Sequence, residues 1–370
     1  MVLVVNEFLK CCTIIIRFWM LFMDSIRIDN FVLNRHSEPF IVAEIGVNHN
    51  GDLPTALAMI EAAKQAGVNA VKFQTFKAVE FIADPSQMYT YRSQGKEVTE
   101  SMLQMFQRYE FKEEHWHAIK RKCQQEDIIF LSTPQNYSDL ELLLKVGIDA
   151  IKVGSDDFNN IPLIKKYATT RLPLILSSGM ADLADVYYAL EAAGFFSGYP
   201  VILLICTSQY PTPPEDVNLN KLKTLRAAFP TLITGFSDHT QGSLASSLAI
   251  ACGAVFFEKH FTLDHNLPGP DHWFSADALG LKDWVTSVRQ SWIIMGDSNI
   301  CPTLQERQNK KSFCRVIVAA KDIDKGEVFS LCNLTLRRVA GGAGMMPAFF
   351  DSLLGKMAGR EFKKNEQINL

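Results

Sequence analysis

Two histidines stand where a protein could hold a metal ion. His239 lies in Ser237-Asp238-His239-Thr240, and His260 in Glu258-Lys259-His260-Phe261-Thr262. Each follows a short apolar run, residues 232–236 and 255–257, that reads as a buried strand. A helical stretch separates the runs, so the two histidines are expected at the same end of neighbouring parallel strands. Neutral imidazole is a common ligand for Zn, Mn, Fe and Co. Two histidines so placed leave most of the coordination sphere open to water and substrate, which suits a catalytic metal better than an enclosed structural one. Polar capping of two strand ends explains the histidines equally well when they are taken alone.

Two lysines add a second kind of chemistry. Lys72 in Val71-Lys72-Phe73-Gln74 and Lys152 in Ile151-Lys152-Val153-Gly154-Ser155 each stand inside an otherwise apolar run. A lysine there is costly to bury unless an anion meets it. A salt bridge to an inward carboxylate such as Glu44 would meet that cost, as would snorkelling to the rim. With Thr133, Ser155, Ser208 and Ser237 nearby, the pair also reads as a phosphate site. A Schiff-base aldolase would equally want a buried lysine, but such an enzyme has no use for a metal. Among the other candidates, His115 and His117 read as helix surface or packing residues and His49 as a turn residue. Asp271, in Pro268-Gly269-Pro270-Asp271-His272, is expected to reach over the site.

These groups need a frame that brings them together. Eight short apolar runs recur, at residues 40–44, 70–74, 128–132, 150–153, 174–177, 201–206, 232–236 and 255–258, with helical patterns between them. Continuous apolar runs mean strands covered on both faces. Residues 53–66 carry a core stripe of Leu57, Met59, Ile60, Ala63 and Ala66 behind an Asp52 N-cap, and residues 181–193 one of Leu183, Val186, Tyr187 and Leu190. This is the count and size of a (β/α)8 barrel, whose site lies at the C-terminal strand ends. Those ends carry Glu44, Lys72, Gln74, Thr133, Lys152, Ser155, Asp157, Ser178, Thr207, Ser208, Tyr210, Ser237, His239, Glu258 and His260. The mouth offers no obvious arginine. An open doubly wound sheet would need a glycine-rich phosphate loop after its first strand, and Glu44-Ile45-Gly46-Val47-Asn48-His49-Asn50-Gly51 is not one. The long insert at residues 76–125 is expected to form a loop or lid near the mouth.

Domain boundaries follow the texture of the chain: the barrel at 24–294, a polar linker at 295–312 and a small β-rich domain at 313–370. Strands are expected at 313–320, 334–339 and 367–370. Residues 1–23 read as an apolar extension ahead of a misassigned start, since Arg17 splits the run well short of the roughly 18 apolar residues of a spanning helix. A net charge of −3 argues against a nucleic-acid surface, and eight cysteines without a CxxC pair fit a reduced, cytoplasmic protein.

Taken together, the motifs resemble the sialic acid synthase family, the phosphoenolpyruvate-dependent synthases of nine-carbon sugar acids. The resemblance rests on Ala43-Glu44-Ile45-Gly46-Val47-Asn48-His49-Asn50-Gly51, Val71-Lys72-Phe73-Gln74-Thr75, Leu131-Ser132-Thr133-Pro134, Ser177-Ser178-Gly179-Met180 and Tyr210-Pro211-Thr212-Pro213. Gly235-Phe236-Ser237-Asp238-His239-Thr240 and Glu258-Lys259-His260-Phe261-Thr262 extend it. The tail is similar to the SAF (antifreeze-like) domain of that family. The resemblance implies that His239 and His260 bind Mn2+ or Mg2+ and that Lys72, Thr133, Lys152, Ser155 and Ser237 hold phosphoenolpyruvate, with Ser208 near the phosphate. It implies that Glu44, Gln74, Tyr210 and Asp271 bind sugar hydroxyls, and that Asp157 orients or deprotonates water. Arg338 would come from the SAF domain of the other subunit of a homodimer and contact an N-acetyl group. The implied reaction condenses phosphoenolpyruvate with an open-chain N-acetylated hexosamine, N-acetylmannosamine foremost. A 2,4-diacetamido-6-deoxymannose giving legionaminic acid is the alternative, and a silent carbohydrate-binding protein the reading from another class. Three positions depart from the pattern: Asp156 where Gly is common, expected to raise the proton affinity of Asp157; Ser208 where Asn occurs; and Val339-Ala340 in place of Pro-Gly.

Overall fold

A computed structural model describes residues 25–342 and 344–369. The reading of residues 1–23 lies outside the described residues. The chain divides into two units, the first ending at Gly296 and the second starting at Asp297. Among the described residues no helix is long and apolar enough to cross a membrane.

The first unit is a closed parallel barrel. An antiparallel hairpin, β1 (Ile26–Ile28) and β2 (Phe31–Leu33), comes first. The barrel strands are β3 (Phe40–Gly46), β4 (Ala70–Thr75), β7 (Ile129–Pro134), β8 (Ile151–Val153), β9 (Leu174–Ser177), β10 (Val201–Ile205), β11 (Ile233–Asp238) and β12 (Phe256–His260), in the ring order β10-β11-β12-β3-β4-β7-β8-β9. Between β4 and β7 the insert folds as an antiparallel hairpin, β5 (Met88–Ser93) and β6 (Lys96–Ser101), followed by helices Met102–Tyr109 and Glu113–Gln125. The (β/α)8 expectation holds.

Strand alternation explains why a polar site forms inside a hydrophobic protein. Side chains along a strand point alternately to the barrel axis and to the helices. Ile41, Ala43, Ile45, Val71, Phe73 and Phe257 belong to the outer core against the helices. Phe40, Val42, Ala70, Ile129, Ile175, Ile202, Leu204, Ile233 and Phe256 form a separate inner core, capped by Ile26, Ile28 and Leu33 of the hairpin. Full burial of each such side chain contributes about 1.5–3 kcal/mol. Further up, the inward positions of every strand but β10 are Glu44, Lys72 and Gln74, Thr133, Lys152, Ser177, Ser237, and Glu258 and His260. The apolar floor thus closes one end of the barrel and leaves the polar layer at the other.

Two helix readings differ in outcome. Asp52 caps helix Leu53–Ala66, accepting from the Thr55 N–H, and its buried face is Ala56, Met59, Ile60, Ala63 and Ala66, with Leu57 packed at the margin. In helix Leu183–Ala193 the buried stripe is Val186, Ala189, Leu190 and Ala193. Leu183 and Tyr187 are 48% and 45% exposed, so the expectation that they face the core is corrected. Val186 and Leu190 keep the places expected of them, and Ala189 and Ala193 complete the buried face.

The C-terminal unit has its own core, including Ile317, Ile323, Phe329, Leu334, Leu353, Phe362 and Ile368. Its ladder is β13 (Val316–Ala319) antiparallel to β14 (Leu334–Arg337), and Gln367 joins only through a single bridge to Val318. The linker is not wholly irregular: Leu304–Phe313 is a helix closed at its start by a Thr303–Glu306 capping box.

Candidate active site

A cavity of about 820 Å³ opens at the C-terminal ends of the barrel strands. Its wall takes in Glu44, Lys72, Gln74, Thr133, Lys152, Ser155, Ser208, Tyr210, Ser237, His239, His260 and Asp271, which is nearly all of the site expected from the sequence.

Its floor is a buried charge cluster. Lys72 Nζ lies 2.7 Å from Glu44 Oε2 and 3.7 Å from Glu258 Oε2, and Lys152 Nζ lies 3.6 Å from Glu258 Oε1. The salt-bridge reading of Lys72 is therefore realised, and it coexists with the cavity. Glu258 also accepts from Ser237 Oγ at 3.0 Å, Lys152 donates to Ser177 Oγ at 2.6 Å, and Lys72 reaches Thr133 Oγ1 at 3.4 Å. Burial alone would raise the Glu258 carboxyl, but Lys152 and Lys72 hold it down at about 2. Glu44 is raised by burial against the pull of Lys72, and Lys152 is lowered by burial. Gln74 Nε2 steadies Glu44 at 3.0 Å. Gly46, at φ +53°, keeps space for both, since a Cβ there would sit 3.1 Å from Glu44 Oε1.

Beside the lysines lies a pocket of neutral donors. The Gly179 N–H donates to Ser155 Oγ at 3.1 Å, and Ser208 Oγ is buried without a hydrogen-bond partner. A Cβ on Gly179 would lie 2.4 Å from Ser208 Oγ and 2.6 Å from Ser155 Oγ, so only glycine fits. An orphaned buried hydroxyl in the same cavity as two lysines suits an oxyanion.

The histidines face each other across the neighbouring strand ends, ring centroids 5.6 Å apart, with Tyr210 4.3 Å from His239 and Phe274 5.2 Å from His260. His239 Nδ1 donates to the Thr207 carbonyl at 2.7 Å, which leaves Nε2 as the lone-pair nitrogen, 3.3 Å from Ser237 Oγ. His260 Nδ1 is buried without a hydrogen-bond partner, 3.8 Å from Asp271 Oδ2. Burial keeps both imidazoles neutral. The described residues contain no cluster of three or more His, Cys, Asp or Glu side chains that could hold a metal. Two neutral nitrogens, one orphaned, nonetheless fit a divalent ion whose other ligands are water and substrate. Asp271, on the same wall, is raised to about 7 by burial and by Glu44.

One expected residue of the barrel unit lies off the cavity wall. Asp157 is absent from the cavity wall; its Oδ1 accepts from Asn160 Nδ2 at 2.9 Å at the start of the next helix. Burial raises its carboxyl, and Asp156 adds to the rise as anticipated. It is Asp156 that lines the mouth. Arg338 is exposed in the C-terminal unit, next to the end of β14. The expectation of a mouth without arginine is corrected: Arg92 of β5 lines the cavity, its guanidinium 5.0 Å from the ring centre of Trp273. Glu258, which the sequence places among the strand-end groups without a role, is the carboxylate that faces both lysines. A carboxylate two residues before His260 in an apolar strand carries the same signal as Lys72. His49, by contrast, stacks on Phe111 with its Nδ1 accepting from Gly51 N–H, as a turn residue does.

Comparison with known proteins sharpens this picture. The NeuB family model matches residues 59–299, and the SAF domain model residues 315–369. The N,N'-diacetyllegionaminic acid synthase of Campylobacter jejuni is 40% identical, over 89% of this chain and 98% of its own length. A pseudaminic acid synthase of the same species is 34% identical, over 92% of this chain and 98% of its own. The crystal structure of N-acetylneuraminic acid (sialic acid) synthetase from Leptospira borgpetersenii superposes with a TM-score of 0.69 at 31% identity, covering 77% of this chain and 94% of that one.

Proposed function

The chain belongs to the NeuB family of nonulosonic acid synthases, and from that premise we propose that it condenses phosphoenolpyruvate with an open-chain N-acetylated hexosamine, releasing phosphate. The observation that carries this reading is the adjacency of two sites on one wall. Lys72 and Lys152 with the unpartnered Ser208 hydroxyl offer an anion site, and two neutral histidines stand next to it.

The phosphate is placed among Lys72, Thr133, Lys152, Ser155, Ser208 and Ser237. The sugar aldehyde is directed toward the histidines, with Gln74, Tyr210 and Asp271 at its hydroxyls. Mn2+ or Mg2+ held by His239 and His260 would supply Lewis-acid polarisation of the aldehyde oxygen. The C3 methylene of phosphoenolpyruvate forms a bond to the aldehyde carbon, leaving cationic character at C2. Water adds to C2, and the tetrahedral carbon then breaks its C–O bond to phosphate as its hydroxyl becomes the ketone, the hydroxyl proton leaving on the phosphate with the bridging oxygen. Glu44, raised by burial and bonded to Gln74, is the group set to pass the proton lost by water to the new alkoxide. This moves the proton-transfer role from Asp157 to a carboxylate on the cavity wall. A homodimer in which the partner subunit's Arg338 contacts the N-acetyl group would complete the site.

N-acetylmannosamine is the first substrate reading. A 2,4-diacetamido-6-deoxymannose is the second, favoured by the 40% identity to the C. jejuni synthase and by the packed pair Phe81 and Phe106 on the cavity wall, which would accommodate a methyl group. Phosphate release from 2-18O-labelled phosphoenolpyruvate, measured across both sugars, tests the reading. Label is expected in phosphate with one of the two. Label kept in the sugar acid, or no turnover with either, rejects it.

A further inference from the structure

The residues that precede the two histidines point the other way, toward the helices. Asp238 and Lys259 are register partners on β11 and β12, and both are buried. Lys259 Nζ lies 3.2 Å from Asp238 Oδ2. The carboxylate is fully engaged: Oδ1 accepts from Thr240 N–H at 2.8 Å and Thr240 Oγ1 at 2.7 Å, and Oδ2 from Ser246 Oγ at 2.6 Å and Trp284 Nε1 at 3.3 Å. Trp284 Nε1 also donates to Ser246 Oγ at 2.9 Å, and Lys259 Nζ donates to the Thr240 carbonyl at 2.6 Å.

We infer that this ion pair is a cross-brace that sets the position of the two histidines, a pair of positioning residues on the far side of the sheet from the cavity. The inference rests on the reading of His239 and His260 as metal ligands. The side chain before His239 holds the residue after it, through the Thr240 N–H and hydroxyl. The side chain before His260 holds that same Thr240 through its carbonyl. The main chain at His239 is thus clamped on both sides, and one of the clamps comes from the strand that carries His260. Thr212 N–H adds a bond to the His239 carbonyl at 2.9 Å. The outer ends are anchored in helices Leu244–Ala251 and Ala278–Met295 through Ser246 and Trp284. A buried pair is a weak source of stability compared with apolar side chains of similar volume, whereas its geometry is strict. A site of only two protein ligands depends on the distance between them more than a site of four. That is where this strictness acts.

The test is Mn2+ affinity of the whole metal-stripped chain, followed by the electron paramagnetic resonance of free Mn2+ well below the melting temperature. Asp238→Asn and Lys259→Met are each expected to weaken binding by about 10- to 100-fold, the range for lost outer-shell support. The double variant is expected to be no worse than the weaker single one, because both remove one brace. Leu225→Ala, a core truncation on helix Asn220–Ala228, serves as the control: its melting temperature should fall while its Mn2+ affinity stays within about twofold of wild type. If Lys259→Met does not fold, the nearly isosteric Asp238→Asn decides. Folded variants that bind Mn2+ like wild type overturn the brace and leave the metal reading standing. A wild type that binds no Mn2+ overturns both.

Discussion

Replacing Glu258 with glutamine puts the charge cluster to its hardest test. The two lysines and two glutamates at the floor balance one another, and Glu258 alone faces both Lys72 and Lys152. Removing one partner of a buried pair costs roughly 3–5 kcal/mol, because the remaining charge is left uncompensated. For a unit of this size each kcal/mol lowers the melting temperature by about 2–4 °C, so Glu258→Gln should lose about 6–20 °C without ligand. Phosphoenolpyruvate brings its own negative charge to the same lysines and should restore part of that loss. The melting shift on adding saturating phosphoenolpyruvate is therefore expected to be larger in the variant than in wild type. Thermal unfolding by circular dichroism, with and without ligand, reads both quantities. A variant that melts within about 2 °C of wild type would refute the charge balance. One that melts low and gains no extra shift would refute the placement of the anion beside these lysines.

Exhaustive EDTA treatment should abolish turnover without unfolding the barrel, and Mn2+ should restore it; full activity in the stripped enzyme would rule out the histidine pair as an essential metal site. Arg338→Ala should cost about 10- to 150-fold on the N-acetylated sugar, the worth of a charged donor to an amide at about 1.5–3 kcal/mol. Mixing Arg338→Ala with His239→Ala subunits should raise activity if Arg338 acts across the dimer. If Arg92 makes the contact instead, Arg92→Ala will show the loss and Arg338→Ala will not. Asp271 has its carboxyl raised from 3.8 to about 7 by burial, so the folded state holds a proton that the unfolded state releases. Its contribution to stability is present in full below about pH 4 and is lost as pH climbs to about 7. Asp271→Asn should flatten that part of the stability–pH curve; an unchanged slope in urea titrations would contradict it.

The barrel was legible because its strands are buried on both faces, so residues such as 201–206 read as unbroken apolar runs. The site was legible for a related reason: a lysine at 72 or 152 has no place in such a run unless something charged meets it. Two adjacent carboxylates were harder. Whether Asp156 or Asp157 faces the mouth depends on the turn after β8, and no hydrophobic period extends through that turn. Arg92 escaped for want of any frame, since it sits in an insert whose hairpin has no core-facing alternation to fix its direction. In the helix after β9, side-chain size misled. Leu183 and Tyr187 read as core residues by size, yet the buried face is Val186, Ala189, Leu190 and Ala193, so the stripe is turned toward the alanines.

The β5–β6 hairpin is fastened to the loop that carries Asp271: Ser93 Oγ accepts from Gly269 N–H at 3.1 Å, Gln94 Nε2 donates to the Asn266 carbonyl at 2.8 Å, and Arg92 lies over Trp273. Neither segment belongs to the barrel's strand ladder. Together they make a collar, joined to itself, above the strand ends that carry Lys72 and Lys152. Such a division lets the collar change its shape for a different sugar while the strand ends keep the same phosphorylated partner. It also couples the two halves of the collar. Neither Ser93 nor Gln94 lines the cavity, so on the proposed reading a substitution at either is expected to change selectivity among sugars through the Asp271 loop, with phosphoenolpyruvate binding left intact.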